Sequence, residues 1–202
     1  MRELAGEACI DWEDSPSDKQ QIMCSRSFGR PVTELRDLQQ AIAVFVTRAA
    51  EKLRGQHSYT DAVQVFICTS PFRDGPKRTG NTVVRLKSTN DTNALIGAVT
   101  NGLRSIYRPG FQYAKAGVCL LDIQQSFVSK SQLSLFDCED AAPKKQREEL
   151  MCVVDKLNGR YGRATVVAAN ALSVEDAPWQ MRQERMTPAY TTDWAQVVEI
   201  WR

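Results

Sequence analysis

Between residues 22 and 123 the spacing of the apolar side chains switches repeatedly between two rhythms, and that alternation leaves few folds open. Ile22, Cys24 and Phe28 alternate in KQQIMCSRSFGRPV, the pattern of a strand with one buried side, ended by Gly29 and Pro31. Leu35, Leu38, Ile42, Phe45, Ala49 and Leu53 recur at spacings of three and four. They predict a helix over about 34–54, with Thr33 as its cap and Gly55 as its stop. DAVQVFICTS (61–70) is β-branched and apolar, a strand. In NTVVRLKS (81–88), Val84 and Leu86 alternate with Arg85 and Lys87, so one side of that strand is core and the other basic. Leu95, Val99, Leu103 and Ile106 predict a second helix, capped by Asn90 or Asp91 and ended by Pro109 and Gly110. A last strand runs from about Tyr113 to Ile123.

The resulting order is β-α-β-β-α-β. Two helices with one apolar face each pack most economically on one side of a four-stranded sheet. The fold class expected is therefore α+β, with the other sheet face open. Ser25, Ser27, Arg85, Lys87 and Lys115 fall on that face, a surface suited to a sugar-phosphate backbone. Aromatic residues on it are sparse, which argues against base stacking across the sheet.

Charge points the same way. Residues 1–18 carry −5, residues 19–130 carry +9 and residues 131–202 carry −2. A basic block between acidic flanks is the electrostatic footprint of a nucleic-acid binder. No apolar run approaches membrane-spanning length, and the acidic N-terminal segment lacks the apolar core of a signal peptide.

The expected organisation is an acidic lead (1–18), the basic β-α-β-β-α-β domain (19–125), a linker (126–144) and a small α+β appendix (145–202). In the appendix a helix is expected over 146–162, with Leu150, Val153, Val154 and Leu157 as its apolar stripe, and a short strand over 164–170. Catalytic signatures are missing. There is no phosphate-binding loop, nucleophile elbow or H-E-x-x-H motif. The six cysteines are scattered without a C-x-x-C pair, as for reduced thiols, and His57 is the single histidine. Asp122 alone lies on a strand near apolar neighbours, whereas nucleotidyl transfer needs clustered carboxylates. Neither a catalytic nor a metal site is assigned.

The linker holds one motif. QLSLF, residues Gln132, Leu133, Ser134, Leu135 and Phe136, places three large apolar residues in a polar stretch. Four fixed positions match by chance at on the order of one in 10⁵ sites. The peptide resembles the bacterial sliding-clamp-binding motif. Leu135 and Phe136 would enter an apolar pocket, Leu133 would pack beside them, and the Gln132 amide would bond the rim. The other reading is a short edge strand packed on the chain's own core.

KQQIMCSRSFGRPVTELRDLQQAI, RAAEKLR, TSPF, YAKAGVCLLD and SQLSLFD together resemble the C-terminal part of the UmuC family, the catalytic subunits of DNA polymerase V among the Y-family translesion polymerases. LNGRYGRATV and WQMRQERMTPAYTTDW match that family's C-terminal extension, so the resemblance runs from about Arg2 to Trp194. It implies a little-finger domain plus tail, without the palm and fingers that bear the metal-binding acids; Mg²⁺ is expected only for that absent core. It implies that Ser25, Arg26 and Ser27 lie on the strand that grips DNA backbone across the major groove. Charge and alternation add Lys77, Arg78, Arg85 and Lys87. The implied partners are primer-template DNA, the sliding clamp (the DNA polymerase III beta subunit), the processed UmuD dimer and the RecA filament, in the bacterial cytoplasm during the SOS response. Trp179, Tyr190 and Trp194 are either partner contacts or the appendix's own core. A stand-alone RRM-like RNA-binding domain is the alternative, opposed by the lack of the RNP aromatic pattern.

Overall fold

The computed structural model describes residues 2–7, 9, 17–125, 141–172, 177–182 and 186–197. Strand β1 (Ile22–Val32) leads to helix α1 (Leu35–Gly55). Strands β2 (Ser58–Thr69) and β3 (Thr79–Thr89) follow, then helix α2 (Thr92–Ile106), strand β4 (Tyr113–Gln125) and helix α3 (Ala141–Tyr161). The strands form one sheet in the order β1-β4-β2-β3, every neighbouring pair antiparallel.

The α+β architecture is the one the apolar rhythm predicts. Val63, Val65 and Ile67 of β2 pair with Leu120, Val118 and Ala116 of β4, and all six side chains are fully buried. They pack with Leu38, Ile42, Phe45 and Val46 of α1 and Leu95, Val99 and Leu103 of α2, so both helices cover one face. Gly102 packs closely there: a Cβ on it would stand 3.0 Å from Val84 Cγ2, so that side chain would have to give by a few tenths of an ångström. β1 and β3 are the edge strands. This corrects the RRM-like alternative, whose stacking aromatics sit on first and third strands that are central in the sheet.

Several boundaries depart from the sequence reading. β1 does not end at Gly29 and Pro31 but runs through them to Val32. Its register against β4 shifts between Ser27 and Val32, and a proline on a bulged edge strand removes no ladder bond. Thr33 does not cap α1. Glu34 holds that position without a side-chain bond, and the Thr33 carbonyl accepts from the Tyr107 hydroxyl at 2.8 Å. Gly55 stays helical, and the left-handed turn falls on His57 (φ 54°). Asp91 does cap α2, its Oδ1 accepting from the Asn93 N–H at 3.0 Å.

The tail packs against this domain. Arg54, at the end of α1, donates to both Asp155 oxygens of α3 (2.6 and 2.8 Å) and also to the Asn90 carbonyl and Thr92 Oγ1, each at 2.9 Å. The Tyr59 hydroxyl donates to Glu148 Oε1 at 2.9 Å, and Met151 is buried between these two anchors. α3 thus docks through positions 148, 151 and 155, one helical face. The expected apolar stripe is only partly covered: Val154 and Leu157 are half-buried, but Leu150 and Val153 are 53% and 52% exposed. The strand expected over 164–170 is a turn instead. Gly162 and Ala164 have positive φ, the Asn158 side chain bonds both backbone groups of Val166, and a 3-10 turn follows at Ala169–Ala171.

Beyond that turn the chain completes the main core. Ala171, Ala177 and Trp179 belong to the same buried cluster as α1 and the sheet. The Trp179 ring meets Phe45 edge-on at 6.1 Å, and its Nε1–H donates to Gln40 Oε1 at 3.2 Å. The Gln40 amide in turn donates to the Leu172 carbonyl. Gly29 N–H and Arg30 N–H donate to the Gln180 and Pro178 carbonyls at 2.9 and 3.2 Å, covering the outer edge of β1. Tyr190 and Trp194, by contrast, are exposed.

Trp179→Ala should lower stability by about 3–5 kcal/mol, the usual cost of emptying a buried indole site. Urea unfolding of the whole chain measures it, and an unchanged midpoint would show that the tail packs independently of the sheet.

Candidate nucleic-acid interface

The sheet face opposite α1 and α2 is crossed by four rows of paired side chains. The first is Ser27, Lys115, Cys68 and Thr79; the second is Ser25, Gly117, Phe66 and Asn81. The third is Met23, Cys119, Gln64 and Val83, and the last is Leu121, Ala62 and Arg85. Lys87 follows Arg85 at the strand period, while Leu86 between them packs on the core.

Lys115, Arg85 and Lys87 are exposed; no carboxylate occupies these rows, and the nearest acids are Asp61 and Asp122, which line one cleft with Arg85 beyond the last row. Lys115 and Leu121 are six residues apart on β4, roughly 20 Å at ~3.3 Å per residue. The bases therefore stand at the two ends of a face whose middle is neutral. That middle holds an aromatic residue that sequence reasoning missed. Phe66 packs over Gly117, where an added Cβ would lie 2.4 Å from Phe66 Cζ and 2.4 Å from Ser25 Cβ. Its parity was readable, since Phe66 sits between the core residues Val65 and Ile67. Burial pushes the Cys119 thiol pKa up, with Cys24 adding to the shift.

The sequence-predicted residues divide. Ser25, Ser27, Arg85 and Lys87 share the open face. Arg26 does not: it pairs with the buried Ala116 and so takes the helix-side parity, at the exposed edge of β1. Lys77 and Arg78 lie in the β2–β3 loop and are held by it. The Lys77 ammonium donates to the Ser70 and Pro71 carbonyls at 3.1 and 3.0 Å and also to the Arg73 carbonyl. The half-buried Arg78 guanidinium lies 5.5 Å from the centre of the Phe111 ring and reaches the Ile106 carbonyl. Charge alone does not show that these two bases also fasten their own loop. Gln132, Leu133, Ser134, Leu135 and Phe136 lie outside the described residues. Among the described residues, no three His, Cys, Asp or Glu side chains come together as a metal site, and no helix is long and apolar enough to cross a membrane.

Residues 19–135 match the model of the impB/mucB/samB family C-terminal domain, and residues 148–200 match a domain of unknown function, DUF4113. Protein UmuC of Salmonella typhimurium is 39% identical over 203 residues, covering 99% of this chain and 46% of that protein. Protein SamB of the same species is 41% identical over 199 residues, covering 98% of this chain and 45% of that protein. The chain thus spans about half the length of the curated relatives it matches. Among solved structures, a complex of beta-clamp processivity factor and the little finger domain of PolIV matches with a TM-score of 0.36 and 16% identity, covering 57% of this chain and 98% of that one.

Gly117→Ala should cost about 1–3 kcal/mol, because Phe66 or Ser25 must move to admit the methyl group. Thermal or urea unfolding checks it; a midpoint equal to wild type would show the second row to be loosely packed.

Proposed function

The chain belongs to the impB/mucB/samB family, whose C-terminal domain it carries, and from that premise we propose that it is the DNA-gripping, clamp-tethering C-terminal region of a Y-family translesion polymerase. One observation carries the DNA-binding half of this reading. The bases of the open face stand roughly 20 Å apart with a neutral strip between them. A B-form major groove is about 12 Å wide, so a face roughly 20 Å long spans it with bases beyond each rim and its neutral middle over the groove. Lys115 with Ser27 would hold one backbone, and Arg85 with Lys87 the other. Contacts of this kind bind with little sequence preference, which suits an enzyme that must accept damaged templates.

The QLSLF peptide supplies the tether. Leu135 and Phe136 anchor it in an apolar pocket of the sliding clamp, raising the local concentration of the polymerase at the primer end. Chemistry is assigned to the palm of the whole polymerase, with its Mg²⁺, and none to the residues described above. The tail's exposed side, including Leu150, Val153 and Trp194, offers area for the processed UmuD dimer and the RecA filament. The setting is error-prone bypass during the SOS response in the bacterial cytoplasm.

Two measurements test this reading. Lys115→Ala and Arg85→Ala should each weaken duplex binding on every sequence tested and flatten the slope of log K against log salt by about 1. Wild-type slopes in both variants would refute the two-ended grip. Separately, Leu135→Ala with Phe136→Ala should abolish binding to the sliding clamp while leaving the unfolding midpoint unchanged. A loss of stability without any clamp binding by wild type would assign the peptide to the chain's own core.

A further inference from the structure

The β2–β3 loop, residues 70–78, is built to hold one ring in solvent. Thr69 N–H donates to the Arg78 carbonyl and Arg78 N–H donates to Thr69 Oγ1, both at 2.9 Å, closing the loop at its base. The exposed Lys77 ammonium donates back to the carbonyls of Ser70, Pro71 and Arg73. The Phe72 N–H donates to Ser70 Oγ at 3.3 Å, and Gly75 takes a positive φ that makes the return turn. Arg78 then fastens the loop to Phe111 and Ile106. Phe72 is 95% exposed and is not among the residues packed on the core.

We propose that Phe72 is a stacking residue for an unpaired nucleic-acid base, placed where a strand leaves the duplex held on the open face. The inference rests on the DNA-binding reading above and adds a second kind of contact to it. Position favours it. The loop joins β2 and β3 at the Cys68–Thr79 pair, the row that also carries Lys115 and Ser27, so the ring stands just past the Lys115 end of the face. Surroundings favour it too. Exposed Arg73 follows the ring in sequence, and apart from Pro71 and Pro76 the loop is polar or small, with Asp74 its single acid. A protein hot spot needs a broad apolar surround to exclude water, and this loop supplies only Pro71 and Pro76 beside the ring. A base needs only one ring face and a cationic neighbourhood, and stacking of this sort tolerates any sequence. The ring is presented by a pre-organised loop, so little ordering cost is left for the binding step.

The test uses the full chain and two DNAs that share one duplex, the first blunt and the second with a single-stranded extension. Wild type should bind the extended DNA more tightly. Phe72→Ala should remove that preference, a loss of roughly 5- to 100-fold on the extended DNA, while blunt-duplex affinity and the unfolding midpoint stay at wild-type values. Phe72→Trp should retain the preference. Equal loss on both DNAs would make the ring part of the duplex grip and overturn the stacking role. No loss on either would overturn it as well and leave the ring to a protein partner. Failure of wild type to bind either DNA would sink the underlying DNA-binding reading, and the stacking role with it; that result is distinct from wild-type binding without a Phe72 effect.

Discussion

Val63, Val65, Ile67, Val118 and Leu120 are wholly buried beneath α1 and α2, and strand side chains alternate between the two faces. Filling one face with helices therefore hands the alternate positions to the other face, whatever they are. Ser25, Ser27, Lys115, Gly117, Phe66 and Arg85 are all such alternates. A shift of one residue in any pairing would send them into the core and the valines into water, so apolar burial fixes the register and with it the candidate interface. The candidate face needs no separate structural device beyond the glycine at 117, which admits Phe66 and Ser25 over the middle of the sheet.

The tail extends that logic to the rest of α1. Ala41, Ala43, Ala49 and Ala50 are buried along with the larger residues of the helix, more than one face against a sheet requires. Ala171, Ala177 and Trp179 join the same cluster, and segment 177–180 runs beside β1. An exposed edge strand invites pairing with other chains, and here two of its N–H groups already have partners. α3 is fastened differently, through Asp155 and Glu148 to Arg54 and Tyr59, which leaves apolar residues of that helix facing outward.

Much of this was legible in the sequence because the strands and the first two helices carry their own periodicity. The α1 and α2 stripes and the two faces of β3 follow from spacing alone. The departures have local causes. Gly29 and Pro31 ordinarily end strands, but a bulge beside a tail segment lets β1 continue through them. The α3 face was half read, with Val154 and Leu157 partly covered, because an ion pair and a tyrosine hydroxyl also orient that helix and leave Leu150 and Val153 outward. At the candidate site, parity placed Ser25, Ser27, Arg85 and Lys87 correctly. It could not tell that Lys77 bonds back to its own loop, or that Arg26 stands on the other side of an edge strand.

The central claim is that the face opposite the helices holds the DNA. Amide chemical-shift mapping of the isotope-labelled chain against a short duplex tests it directly. The account predicts shifts concentrated at Ser25, Ser27, Lys115, Gly117, Phe66 and Arg85, with the outer surfaces of α1 and α2, marked by Arg48 and Arg104, unmoved. Shifts clustered at Arg48 and Arg104 with a silent sheet would place the DNA on the helical side and contradict it.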